Sequence, residues 1–329
     1  MNLGKLAISL PIPPNVATCL DWARRAEEIG YESIWIAETG GPDPFVLAGA
    51  VAQVTKAARI GIAVSPVYIR TPATIAAACG TVAQMAPGRF IVGLGSSSHA
   101  MVENWHGLRF RKPVTRVRET VTTVRAILQG ERVRFDGQTL RSHGFRLLVP
   151  PPAPVPIYVG ALRPPMLELA GEIGDGVVVN LFPVDALPKM LSHVAAGAER
   201  AGRGGPALEV VCRHQVLVTD DKAAAREMFR GALTGYFATP VYNQFAAWYG
   251  FEEEAALIAE GFRRGDRDMT RRGMTDRFVD SLGIFGSAEE CRERIAAYVA
   301  AGVTTTAISP LTLDPAAVKR TFETLAPGR

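Results

Sequence analysis

Short apolar runs alternate along this chain with longer stretches in which apolar residues recur every three or four positions. The first kind reads as buried strands of a parallel sheet and the second as amphipathic crossover helices. The opening unit sets the rhythm. Residues 5–10 read as a strand, and 15–29 as a helix carrying Val16, Leu20, Ala23, Ala26 and Ile29 on one face, closed by Gly30. The same alternation predicts further strands at 33–37, 59–64, 89–94, 156–159, 176–180, 208–218 and 304–309. Helices are predicted at 44–55, 72–85, 114–128, 165–173, 186–201, 222–233, 287–300 and 315–325.

Two segments break the rhythm. Residues 133–148 hold Asp136-Gly137 between short extended runs, a hairpin signal, and the Pro-rich VPPPAPVP follows. Residues 236–285 carry Tyr236, Phe237, Tyr242, Phe245, Trp248, Tyr249 and Phe251 and then acidic and basic stretches, which reads as an insertion and a candidate lid. Ser287 and Glu290 then form a capping-box signature for the next helix. Eight strands, each followed by a helix, predict an α/β protein whose residues 1–329 form a single TIM (β/α)8 barrel, with the insertion before the last βα unit.

Composition narrows the class. At 329 residues, with 48% hydrophobic and 21% charged residues, the chain has the makeup of a soluble globular enzyme. Its net charge of +4 comes from scattered arginines, which argues against a nucleic-acid partner. Cys19, Cys79, Cys212 and Cys291 lie far apart with no C-x-x-C, so they are expected to be reduced core thiols and no metal site is expected. The N-terminal apolar run lacks a signal-peptide cleavage site, and no run approaches the ~20 apolar residues of a membrane span. A cytoplasmic protein without a membrane partner is expected.

The candidate chemistry lies at the carboxyl ends of the strands, where a barrel of this kind builds its sites. The stretch 86–119 runs from an apolar strand into Gly93, Gly95, Ser96, Ser97 and Ser98, small residues that let a flat ligand approach the backbone. His99 and His106 follow, seven positions apart, as candidate proton donors. Glu38 and Thr39 end the second strand, with Glu38 a candidate base or structural acceptor. Gly160, Ala161 and Leu162 lead into a helix start whose macrodipole favours an anion, either as a phosphate site or as an ordinary βα turn. There is no G-x-S-x-G elbow and no H-E-x-x-H helix, so acyl transfer and zinc hydrolysis have no support.

The runs GRFIVGLGSSSHAMVENWHG, RVRETVTTVRAILQGE, VPIYVGALRPPMLELAGEIGDGVVV and GSAEECRERIAAYVAAGVTTTAIS, in that order, resemble the bacterial luciferase-like monooxygenase superfamily, and most of all its coenzyme F420-dependent oxidoreductases. The resemblance implies a homodimeric TIM barrel with a deazaflavin, or alternatively FMN, at the C-terminal mouth. It implies that Ala63, Val64 and Ser65 form a bulge with a non-proline cis peptide at Ala63-Val64 that props the ring. It further implies that Thr39 and Gly95, Ser96, Ser97 and Ser98 border the ring, and that Gly160, Ala161 and Leu162 meet the phosphate. Asp175-Gly176 match an element that is mostly structural. The expected activity is hydride transfer between deazaflavin C5 and a small organic substrate. An FMN-dependent monooxygenase and a non-catalytic cofactor-binding protein are the alternatives. The chain departs from the sugar-phosphate dehydrogenases of the group: their Asp-His pair and glutamate are replaced by Glu38-Thr39 and about Ser98, so that acid-base machinery does not transfer.

Overall fold

In the computed structural model, which describes residues 1–11, 15–203 and 208–328, the apolar runs pair as parallel strands around a closed cylinder. Strands β1 (Lys5–Ser9), β2 (Ser33–Ile36), β3 (Arg59–Pro66) and β4 (Phe90–Gly95) lie side by side in chain order. Helices α1 (Val16–Glu28), α2 (Pro44–Val54) and α3 (Pro72–Met85) cross between them. Their starts are set locally: Asn15, Asp43 and Thr71 each accept from the first turn, and Pro44 and Pro72 occupy first-turn positions that lack a helical partner anyway.

After α4 (Pro113–Leu128), the expected hairpin forms as β5 (Arg134–Asp136) and β6 (Arg141–His143). The sheet resumes with β7 (Ile157–Gly160), α5 (Pro164–Ile173), β8 (Gly176–Asn180), α6 (Leu187–Arg200) and β9 (Glu209–Val218). Helix α7 (Lys222–Phe237) then leads to α8 (Pro240–Trp248), α9 (Glu252–Arg264), α10 (Arg267–Gly273) and α11 (Asp276–Leu282). The chain ends with β10 (Gly283–Gly286), α12 (Ala288–Ala301), β11 (Thr305–Pro310) and α13 (Pro315–Thr324).

Closure comes from β9, whose residues 209–213 pair with β8 while its residues 211–216 pair with β11, which in turn pairs with β1. The ring is therefore β1-β2-β3-β4-β7-β8-β9-β11. Strand β10 is a ninth, parallel strand outside that ring, matched to Gln215–Val218 of β9. The sequence reading had put residues 283–285 inside the insertion; the sheet claims them because β8 covers only the first half of β9, and the second half would otherwise be a bare edge. Likewise α7 continues to Phe237 rather than stopping near 233, since Phe229, Leu233 and Phe237 all reach a second apolar cluster.

Ala7, Trp35, Ile91, Tyr158, Val178, Val211 and Ala307 fill the cylinder, one from each strand of the ring except β3, whose Ala63 and Val64 pack against them. Its amino end is closed by polar groups. Glu209 receives two bonds from Arg59 (2.6 and 2.9 Å), one from the Tyr158 hydroxyl (2.6 Å) and one from Thr305 (2.5 Å). Burial works to raise the Glu209 pKa, but these donors outweigh it and hold it at about 2. Farther along β9, His214 is also shifted down, but for the opposite reason: burial, then the charge of Arg294, pushes it to about 3 as the neutral form, and its Nε2 has no partner.

Both shifts make the fold acid-labile, in windows that overlap. The unfolded chain takes up a proton at His214 below its ordinary 6.5, which the folded chain refuses down to about 3. At Glu209 the window runs from 4.5 to about 2. Urea unfolding is expected to show the contribution of these two groups in full at pH 6.5 and stability falling as pH drops through both windows. His214→Gln should flatten the upper limb, and Glu209→Gln should lower neutral-pH stability by about 3 kcal/mol while flattening the lower one. A pH-independent unfolding midpoint in the parent chain would refute the assignment.

Candidate active site at the barrel mouth

The carboxyl ends of the strands surround a cavity of about 820 Å³. Its floor is built at β3, where the register with β4 shifts between Ile62 and Ser65 and the Ala63-Val64 peptide is cis, at the bond the sequence had singled out. The shift turns Val64 toward β4 and β7. There a Cβ on Gly95 would lie 2.7 Å from Val64 Cγ2, and one on Gly160 would lie 3.0 Å from Val64 Cγ1. The two glycines therefore leave room for a valine beneath and raise no side chain above it. The result is a low apolar surface flanked by Ala63, Ser96 and Ser97, with Ser97 in a left-handed conformation at φ 63°.

Glu38 and Thr39 border this floor from the end of β2. Both Glu38 oxygens are engaged: Ser65 donates to Oε2 at 2.7 Å and Arg70 to Oε1 at 2.8 Å. Arg70 also reaches Asp43 at 2.6 Å and lies over the Phe45 ring. Glu38 thus acts here as an acceptor that ties the ends of β2 and β3 together. Ser65 itself is fully buried and does this from beneath.

The loop after β4 follows a different course from the one expected of its histidines. It enters a π-helical turn over Ala100–Trp105, and the cavity side of that turn is Ala100, Met101 and Trp105. His99 turns outward, with its Nε2 3.1 Å from Glu103 and its side chain 58% exposed. His106 is also exposed, and neither histidine lines the cavity. Seven positions of π-helical and turn backbone do not bring both rings to one rim.

At the other end of the cavity, the expected anion cradle is narrower than the sequence suggested. The Ala161 N–H donates to Val178 as part of the sheet (3.0 Å), and Pro164 and Pro165 at the start of α5 have no N–H. Leu162 and Arg163 remain as the N–H donors of this loop without a protein acceptor among the described residues. The Arg163 guanidinium stands with them, donating to Gln244 of α8 at 2.7 Å.

The segment read as a candidate lid proves well packed. Of its helices, α8 borders the cavity, through Val241, Tyr242, Gln244 and Trp248. Phe245 is buried, Tyr249 donates to the Leu181 carbonyl at 3.1 Å, and Phe251 packs on Phe278 with ring centroids 4.9 Å apart. Of the aromatic trio Trp248, Tyr249 and Phe251, only Trp248 faces the cavity.

One wall residue escaped the sequence reading. Arg213 of β9 lines the cavity beside Asn180, Tyr236 and Tyr242, with its Nε donating to Ser9 at 2.9 Å. A lone cation inside LEVVCRHQVLV, an otherwise buried run, was the available signal. Among the described residues, no group of three or more His, Cys, Asp or Glu is placed to hold a metal ion, and all four cysteines are free and buried. No described helix is long and apolar enough to cross a membrane.

A family model described as luciferase-like monooxygenase matches residues 5–305. The chain is 28% identical, over 86% of each sequence, to a 5,10-methylenetetrahydromethanopterin reductase of Archaeoglobus fulgidus. It is 30% identical to a provisionally named coenzyme F420-dependent oxidoreductase of Mycobacterium tuberculosis, covering 85% of this chain and 86% of that one. The fold superposes on a coenzyme F420-dependent tetrahydromethanopterin reductase of Methanopyrus kandleri with a TM-score of 0.83, at 21% identity, over 98% of this chain and 97% of that one.

The floor geometry ranks two substitutions. Gly95→Ala places a methyl 2.7 Å from Val64, whereas Gly160→Ala meets it at 3.0 Å. Urea unfolding is expected to show Gly95→Ala as the more costly, by about 1–3 kcal/mol against the parent, because Val64 must shift to admit it. Equal or smaller loss at Gly95 would mean that Val64 is not the floor.

Proposed function

The chain belongs to the luciferase-like monooxygenase family, and on that premise we propose that it is an oxidoreductase transferring a hydride between C5 of the deazaflavin coenzyme F420 and a small organic substrate. The observation that carries this reading is the floor made by Val64 under Gly95 and Gly160. A planar tricycle needs apolar support with no side chain rising into its plane, and a Cβ at either glycine would remove it. The cavity volume of about 820 Å³ also suits a ligand of that class.

When bound, the coenzyme supplies or accepts the hydride; the chain's own groups bind, orient and exclude water. Ala63 and Val64 support one face of the ring. The N–H groups of Leu162 and Arg163, the Arg163 guanidinium and the start of α5 favour an anion at the far end, where the coenzyme's phosphate is assigned. Glu38, engaged by Ser65 and Arg70, holds the β2 and β3 ends at a constant separation, and Thr39 extends that border. Helix α8 covers the mouth with Tyr242 and Trp248, which makes it the lid element of the insertion. His99 and His106 belong to this proposal as surface residues of the β4 loop rather than as proton donors. Two copies per particle and a cytoplasmic location complete the proposal, supported by the family resemblance.

Titration of the purified chain with F420, followed by the coenzyme's fluorescence, is expected to saturate, with FMN as the comparison ligand binding more weakly by at least about tenfold. Gly160→Asp should abolish F420 binding by placing a carboxylate on the floor beside the anion end. Saturable FMN binding without F420 binding would overturn the choice of coenzyme. Because both histidines are exposed, His99→Ala and His106→Ala should leave F420 affinity within about threefold of the parent chain.

A further inference from the structure

We propose that Arg213 is the substrate-recognising residue of this cavity, and that the substrate carries an anionic oxygen group such as a carboxylate. The inference rests on the function proposed above and specifies its substrate class. It starts from topology. In the ring β1-β2-β3-β4-β7-β8-β9-β11, strand β9 lies four steps from β3 in either direction. The wall that carries Arg213 therefore stands across the mouth from the floor that carries Val64. A ring supported on β3, β4 and β7 turns its uncovered face toward Arg213, and a substrate between the two meets the guanidinium.

The guanidinium is oriented and uncommitted. Its Nε is held by Ser9 of β1 at 2.9 Å, which leaves the two terminal nitrogens without a protein acceptor among the described residues. Those nitrogens are not among the sealed, unpartnered polar atoms of the structure, so they open onto the cavity. The surroundings supply no counter-charge: Asn180, Tyr236 and Tyr242 are neutral, Asn180 donates to Tyr242 at 3.5 Å, and the two tyrosine rings pack edge to face with centroids 5.5 Å apart. Arg70, by contrast, has two carboxylates, Glu38 and Asp43.

An arginine keeps its charge at neutral pH, and a partly buried cation without a counter-charge is costly to hold. Burial lowers its pKa, the direction expected where the cationic form lacks compensation. The fork of two terminal N–H groups matches a carboxylate by a bidentate contact, which sets position and orientation together. The same contact discriminates against a neutral analogue, since replacing the carboxylate would leave the buried guanidinium unpaired.

The test uses the full chain and fluorine NMR titration with 4-fluorobenzoate, with 4-fluorobenzamide as the neutral probe of the same shape. Each is measured with and without F420. Fluorobenzoate is expected to bind saturably and the benzamide at least about tenfold more weakly. Arg213→Gln should remove the preference, Arg213→Lys should restore part of it, and both variants should bind F420 as the parent does. Equal binding of the two probes by the parent chain overturns the proposal without recourse to any variant. So does an Arg213→Gln chain that loses F420 while still preferring fluorobenzoate, because Arg213 then serves the coenzyme. A parent chain that prefers fluorobenzoate but binds no F420 supports the anion site while refuting the coenzyme assignment.

Discussion

The pairing of β9 with β8 on one side and β11 on the other is the constraint on which the rest of the molecule depends. It turns a run of βα units into a closed cylinder and brings side chains from strands more than a hundred residues apart to one rim. It also separates two tasks along the strands. Glu209, at the first position of β9, is locked to Arg59, Tyr158 and Thr305 at the amino end, where packing and charge hold the cylinder shut. Four residues later Arg213 stands open to the mouth. Stability at one end and chemistry at the other is the usual division in a barrel, and here a single strand reaches from the locked amino end to the open mouth.

The floor of the mouth shows how an open apolar surface arises from what residues lack. Val64 rises from a register shift in β3 and fills the space over β4 and β7 that Gly95 and Gly160 leave empty. Close-packed interiors do not keep such gaps, so the glycines and the valine form one unit rather than three separate features. The apolar face above them is then available to a flat ligand. Its borders are polar and fixed: Glu38 is engaged by Ser65 and Arg70, and Arg163 by Gln244.

The insertion connects to this site less directly than its aromatic composition suggested. Most of its rings form a second apolar cluster with α7, including Phe229, Phe237, Phe251 and Phe278. That cluster anchors α8, and α8 presents Tyr242, Gln244 and Trp248 to the cavity. The aromatic residues thus act mainly at one remove, by holding a single helix over the mouth.

The sequence by itself determined the eight strands of the ring, the helices between them and their order. Short apolar runs, apolar recurrence every three or four residues, the helix start at Asn15, the capping box of Ser287 and Glu290, and the Asp136-Gly137 turn are local signals, and all appear where they were read. The run of small residues after β4 was legible through pattern, and the Ala63-Val64 bond through family resemblance. Tertiary structure decided which side chains meet. Arg213 reads along the chain as one cation in an apolar strand, and its Ser9 partner on β1, with no carboxylate beside it, exists only once eight strands have closed around it. His99 sits one residue past the small run yet pairs with Glu103 away from the cavity, because the backbone winds into a π-helical turn there. The Ala161 N–H looked free until Val178 of the neighbouring strand accepted it. Local patterns specify conformation, but partners drawn from distant strands are set by the closure of the sheet.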